Sequence, residues 1–210
     1  LIVEQRSATL ANLRRILQPA GYRAATFSSL KDVQSRLKDM DSPSCAIIDL
    51  DLPRSDGVAI QKYLNKAYPS LPVIFISSHP DIPSSVKVIK AGALDLLVTP
   101  LHEQDLLKLI HKAVLQERHS QRERHELDDI RHRLNTLTHR EAEVLERLLR
   151  GLLNKQTAAE LGTSEKTIKV HRGRIMKKLQ VQSIAELVQI VMRYRTASPR
   201  PHAKPAPVHV

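Results

Sequence analysis

Five short apolar runs, each followed by an amphipathic helical stretch, occupy residues 1–115, and this alternation constrains the fold more than any other feature. The runs are "LIV" (1–3), "YRAATF" (22–27), "CAII" (45–48), "VIFI" (73–76) and "DLLV" (95–98). Helical stretches are predicted at 8–18, 29–40, from Gly57 to Tyr68, at 82–91, and from Glu103 onward. Leu10, Leu13 and Leu17 share one face of the first helix, and Leu30, Val33 and Leu37 one face of the second. Repeated strand–helix units imply a five-stranded parallel sheet covered on both faces by helices, a doubly wound α/β domain. Such a sheet places its site at the carboxyl ends of its strands. The residues there are Glu4 and Gln5, Asp49 and Asp51, Ser77 and Ser78, and Thr99.

Beyond Glu103 the helical pattern runs through Leu106, Ile110 and Ala113 into "QERHSQRERHE", which is highly charged and free of Gly and Pro. Leu127, Ile130, Leu134 and Leu137 then repeat at 3, 4, 3 spacing, a seam of about two heptads. Either a solvated connecting helix or a dimerising, signal-transmitting one fits this stretch. From 137 the pattern is entirely helical. "THRE" (138–141) and "SIAE" (183–186) read as capping boxes, Asn154 and Ser164 as further N-caps, and Gly162 as a helix end. Four short helices with tight turns form a helix-turn-helix plan. The predicted division is 1–115, a linker helix 116–136, a helical domain 137–197, and a Pro-rich tail 198–210 expected to be disordered. His202 and His209 in that tail carry no expected metal role.

Charge follows the same division. Of the net +11, residues 1–115 account for +3, residues 116–136 for none, and residues 137–210 for +8. A basic excess gathered in one module suits neutralisation of nucleic-acid phosphates. With no Trp and only two Phe, the cores are built from Leu, Ile, Val and Ala. No apolar run has the length of a membrane span. The opening "LIV" is too short for a signal peptide, and a start without Met inside a strand points to native residues upstream. A single cysteine, Cys45, excludes an internal disulfide, fits a reducing cytoplasm, and reads as a packed small hydrophobe. Ser77, His79 and Asp81 lie too close along the chain for a catalytic triad. With no metal or nucleotide motif present, an enzyme is not expected.

In the helix from Ser164 to Leu179, Ile168, Arg172, Ile175 and Leu179 share a face, with Lys166, Val170, Gly173, Arg174 and Lys177 broadly opposite and Lys169 on the flank. An apolar stripe backed by a basic one suits a helix packed on its own domain and laid in the major groove of duplex DNA. Gly173 interrupts the helix, either for close backbone approach to nucleic acid or as a tolerated surface position.

The segment "LTHREAEVLERLLRGLLNKQTAAELGTSEKTIKVHRGRIMKKLQVQSIAELV" (137–188) resembles the LuxR-type (GerE-like) helix-turn-helix. That resemblance implies base reading by Lys169 and Val170, and backbone contact or support from Asn154, Lys155, Thr167, Arg172, Arg174 and Lys177. Thr157 stands where that family usually has Ile. Residues 1–115 resemble the receiver domain of two-component response regulators, carried by "IIDLDLPRSDG" (47–57) and "AGALDLLVTP" (91–100). The whole chain resembles FixJ/NarL-type transcription factors. This implies a homodimer on paired half-sites, Asp49 as phosphoacceptor, Pro53 and Gly57 as motif residues, and Ser77 as the switch hydroxyl. Glu4 and Gln5 replace the usual acidic pair, Thr99 the usual lysine, and Leu96 an aromatic switch residue.

An aspartate attacking a phosphoryl donor brings two anions together, a problem that receivers solve with Mg²⁺ held by carboxylates and with the lysine. Gln5 is neutral, Glu4 is one methylene longer than Asp, and Thr99 brings no charge. The expectation is therefore a degenerate receiver without a resident cofactor, working without phosphorylation. One alternative keeps weak Mg²⁺ binding through Glu4, Asp49 and the Asp51 carbonyl, with a sensor histidine kinase as partner. A second reuses the pocket for a small ligand or partner protein. A third is an antagonist that heterodimerises through the 82–115 face.

Overall fold

The computed structural model describes residues 1–39, 43–52 and 56–197. Pro53 and the tail from 198, with His202 and His209, lie outside the described residues. The chain divides into two compact units, Leu1–Arg122 and Glu123–Val210.

The first unit holds a parallel sheet of β1 (Ile2–Val3), β2 (Thr26–Phe27), β3 (Ala46–Asp49), β4 (Val73–Ser77) and β5 (Asp95–Val98), in the order β2-β1-β3-β4-β5. Between the strands run α1 (Ser7–Leu17), α2 (Leu30–Arg36) with a 3₁₀ turn at Leu37–Asp39, α3 (Asp56–Ala67) and α4 (Ile82–Lys90). Helix α5 (Glu103–Asn135) follows. Because side chains along a strand alternate, each central strand supplies both faces. Val3, Ile48, Val73 and Phe75 join Val33, Ile60, Leu64 and Val88 in one core. Ile2, Ile47, Ile74 and Ile76 join Leu13, Ile16, Leu106 and Ile110 in the other. Cys45 lies at the edge of the second core, where burial pushes its thiol up to about 11, so it packs as a hydrophobe and is poorly nucleophilic at neutral pH.

The second strand is shorter than "YRAATF" suggests. Only Thr26 and Phe27 pair with β1, although the carbonyl of Ala25 also accepts the Ile2 N–H. Tyr22 and Ala24 contribute apolar surface to the core without ladder pairing. The helix expected at 29–40 ends as an α-helix at Arg36 and tightens into the 3₁₀ turn.

The second unit contains α6 (His139–Leu149), α7 (Asn154–Glu160), α8 (Glu165–Leu179) and α9 (Ile184–Ala197) around a core centred on Val144, Leu148, Ile168, Ile175, Leu179 and Leu187. Leu134 and Leu137, half of the expected seam, pack against that same core. These two residues are half-buried against their own unit's core.

Start signals hold in three cases. The Thr138 hydroxyl accepts the Glu141 N–H, and the Glu141 carboxylate accepts the Thr138 N–H, a complete capping box. Ser164 caps α8 through the Thr167 N–H, and Ser183 accepts the Glu186 N–H. The Glu186 carboxylate reaches one residue further back than a capping box requires, to the Gln182 N–H. Asn154 is not an N-cap. Leu153 occupies that position, and Gln156 Oε1 accepts the Leu153 N–H at 2.8 Å. Gly162, at φ +62°, ends α7 as expected.

Candidate receiver pocket and nucleic-acid interface

The topology reverses at β1, with β2 on one side and β3 on the other, and an acidic cluster sits at the carboxyl ends of β1 and β3, beside the serines at the end of β4. Glu4 follows β1 and is buried. Its Oε1 accepts the N–H groups of Gln5 and Arg6 at 2.9 and 2.8 Å. Asp49, the last residue of β3, is 2 % exposed. Its Oδ1 accepts the Asp51 N–H at 3.0 Å. Asp51 Oδ1 accepts the Ser77 hydroxyl at 2.7 Å, and Oδ2 accepts both the hydroxyl and the N–H of Ser78 at 2.7 Å.

The cation among these acids is Arg6. Its Nη2 lies 3.0 Å from Asp49 Oδ2, its Nε 3.4 Å from Glu4 Oε1 and its Nη1 3.8 Å from Asp51 Oδ2. Nη1 also donates to the Ser78 hydroxyl at 2.7 Å. Burial pushes the Asp49 carboxyl up to about 6, aided by the neighbouring Glu4 and Asp51 charges and opposed by the Asp51 N–H and Arg6. Burial also acts upward on Asp51, but hydrogen bonds from Ser78 and Ser77 and the Arg6 charge outweigh it and hold the group below its ordinary value.

Of the residues singled out by position, Glu4, Asp49, Asp51 and Ser77 come together. Gln5 does not: its Nε2 donates to the Ser28 carbonyl at 2.8 Å. Thr99 donates its N–H to the Ser77 carbonyl, and its hydroxyl makes no hydrogen bond among the described residues. Leu96 packs against the core shared by Ile48 and Phe75, the plain structural role for that position. Arg6 was missed; Asp51 and Ser78 were placed at the strand ends, but not the hydrogen bonds that their side chains make with Ser77 and Arg6. Arg6 had a visible signal: it is the basic residue nearest in sequence to Glu4, at the end of β1, so its long arm could reach the acids of the neighbouring strand.

Gly57, near the start of α3, packs against the backbone of β3. A Cβ there would stand 2.9 Å from the Asp49 carbonyl oxygen. The glycine allows the helix to approach the backbone that carries Asp49.

In the second unit, Ile168, Ile175 and Leu179 of α8 are buried, while Lys166, Lys169, Val170, Gly173, Arg174 and Lys177 are exposed. Lys169 pairs with Glu165 one turn earlier at 3.5 Å. Arg172 is half-buried and donates to Asn154 Oδ1 at 3.4 Å, so Asn154 orients an arginine. Lys155 is exposed near the start of α7 and Thr167 half-buried in the first turn of α8. Gly173 has open space where a Cβ would stand, so packing within the chain does not require a glycine. Lys178 serves the fold, binding the Glu141 carboxylate at 2.6 Å and the Thr136 carbonyl at 2.9 Å. Thr157 is fully buried, and its hydroxyl has no partner among the described residues. An apolar side chain would avoid that desolvation cost of about 1–3 kcal/mol.

Residues 1–111 match the response regulator receiver domain, and residues 135–191 match the bacterial regulatory proteins of the luxR family. The response regulator protein TmoT of Ectopseudomonas mendocina is 38% identical over 92% of this chain and 88% of its own length. The chain belongs to the response regulators. Another member, the transcriptional regulatory protein FixJ of Bradyrhizobium diazoefficiens, is 30% identical over 91% of this chain and 93% of its own. The structure of the response regulator StyR superposes with a TM-score of 0.80 at 34% identity, covering 92% of this chain and 97% of StyR.

As a response regulator with a LuxR-type DNA-binding domain, the protein is a DNA-binding transcriptional regulator. Among the described residues, no helix is long and apolar enough to cross a membrane.

Proposed function

We propose that this response regulator binds double-stranded DNA as a homodimer through the exposed face of α8, and that its receiver works without phosphorylation of Asp49. One observation carries the DNA reading: Lys166, Lys169, Val170, Arg174 and Lys177 are exposed on a helix whose opposite face, Ile168, Ile175 and Leu179, is buried. Lys169 and Val170 are assigned to base edges, and Lys155, Lys166, Arg174 and Lys177 to phosphates. Thr167, Arg172 and Asn154 support the first turn of α8. Residues 137–197 are the DNA-binding part, 116–136 the linker and 1–115 the governing part, all acting in the cytoplasm without catalysis.

Dimerisation is assigned to α4 and β5, where Ile82, Val86, Ile89 and Val98 remain 80, 44, 44 and 52 % exposed. Apolar side chains this exposed gain from a partner surface. A second copy of the chain presents the same patch, as a two-fold interface requires. Phosphorylation independence is supported by the pocket contacts, since Asp49 pairs with Arg6 and the Ser77 hydroxyl is bound to Asp51.

Lys169→Ala tests the DNA assignment. Lys169 is exposed, and its ion pair is with Glu165 of the same helix, so folding persists. Loss of a base contact weakens specific binding by about 1–3 kcal/mol. Fluorescence anisotropy on an operator fragment, across a salt series, reads this as roughly a 5- to 150-fold rise in Kd. Unchanged affinity removes Lys169 from the interface.

A further inference from the structure

We propose that Arg6 is the resident cation of the receiver pocket: its guanidinium, placed between Glu4, Asp49 and Asp51, excludes a divalent metal ion and locks the acids in one arrangement. The inference rests on the reading that the receiver works without phosphorylation, and supplies a physical cause for it.

The fold family implies Mg²⁺ at this position, and the residues present do not fit it. Magnesium requires near-octahedral oxygen ligands at about 2.0–2.1 Å. Most of the carboxylate oxygens here already take donors, and Glu4 Oε2 lies 3.5 Å from Arg6 Nη2. Glu4 Oε1 takes two backbone N–H groups and lies 3.4 Å from Arg6 Nε. Asp49 Oδ1 takes the Asp51 N–H, and Oδ2 takes Arg6 Nη2 at 3.0 Å. Both Asp51 oxygens are held by Ser77 and Ser78. Gln5, the remaining side chain at this strand end, points its amide at the Ser28 carbonyl. Among the described residues, no group of three or more His, Cys, Asp or Glu is arranged to hold a metal ion.

A guanidinium suits this role. It keeps its charge across the physiological range, and its planar fork of five N–H donors can address several carboxylates together. Ser78 acts as a positioning residue, accepting from Arg6 Nη1 at 2.7 Å while donating to Asp51, so that it ties the arginine to the acid. The Arg6 side chain is 40 % exposed. The lock therefore faces solvent and can be removed without emptying the hydrophobic core. Exclusion has two parts: the arm occupies the space beside Asp49 Oδ2, and its positive charge repels a second cation.

The test compares full-length wild type with Arg6→Ala and Arg6→Gln, using Mn²⁺ as a paramagnetic stand-in for Mg²⁺ and electron paramagnetic resonance to count free ion. Circular dichroism checks folding, and Arg6→Gln serves if the alanine variant does not fold. The expected result is no saturable site in wild type at millimolar Mn²⁺, and one saturable site in the variant, with a Kd at least about tenfold below the highest concentration used, that is lost on adding Asp49→Asn. Saturable binding by wild type that Arg6 removal leaves unchanged overturns the proposal, as does a folded variant that gains no site. Phosphodonor labelling of wild-type Asp49, run in parallel, reports separately on phosphorylation independence.

Discussion

Glu141→Ala should destabilise the C-terminal unit by about 3 kcal/mol, the largest loss expected from a single polar side chain in that unit. The carboxylate is buried. It closes the capping box on Thr138 and binds Lys178, whose ammonium also holds the Thr136 carbonyl. One group thus joins the start of α6 to the end of α8. Its removal leaves the Thr138 N–H without its acceptor and the Lys178 ammonium without its counter-charge. Lys178 is one-third exposed, so water repays part of the loss, and the figure lies at the low end of roughly 3–5 kcal/mol for breaking a fully buried pair. Urea denaturation followed by circular dichroism measures it.

The same contact fixes a pH dependence. Burial pushes Glu141 up, but hydrogen bonds from Lys178 and Thr138 outweigh it and hold the carboxyl below its ordinary 4.5. A carboxyl depressed in the folded state binds its proton more readily once unfolded. Its stabilisation is complete above 4.5 and is lost as pH falls from there through the lower folded value. Wild type should lose stability over that acid window, and Glu141→Gln should lose less. Parallel acid curves for the two proteins would show that Glu141 is not the titrating group.

Gly57→Ala should cost about 2 kcal/mol, although alanine is the better helix former by about 1 kcal/mol. The new Cβ would meet the Asp49 carbonyl oxygen at 2.9 Å, Phe75 Cε1 at 3.4 Å and Ile48 Cγ2 at 3.5 Å. A backbone oxygen cannot move aside without displacing β3 and with it the pocket acid. Gly173→Ala is the internal comparison. It has open space, so the helix propensity gain stands alone and stability rises by up to about 1 kcal/mol. Opposite signs in urea denaturation support the packing account, and two gains would refute the close approach at Gly57.

Most of the fold was legible because its signals are local. Alternation along β1, β3 and β4 fed two cores, and Thr138, Ser164 and Gly162 marked helix ends through hydrogen bonds and φ values that those residue types favour. Local reading fails where a partner distant in sequence decides. Asn154 has the chemistry of an N-cap, yet it sits one residue too late and binds Arg172. Leu134 and Leu137 carry the seam spacing, yet α6 and its neighbours take them into a core. The strand "YRAATF" has β character over its whole length, but only two residues lie beside β1. The pocket divides in the same way. Glu4, Asp49, Asp51 and Ser77 were legible as strand ends of a parallel sheet. The bond from Asp51 to Ser77 and the reach of Arg6 to Asp49 depend on how three strands are placed, which spacing along one strand cannot give.

The most direct test of the account is to expose the full-length protein to Mg²⁺ and a small phosphodonor. Phosphoaspartate is then followed on a phosphate-retarding gel, with Asp49→Ala as control, and operator affinity is measured on the same samples. The account predicts no retarded band and the same affinity with and without the donor. A retarded band that vanishes in Asp49→Ala, accompanied by tighter DNA binding, would contradict it.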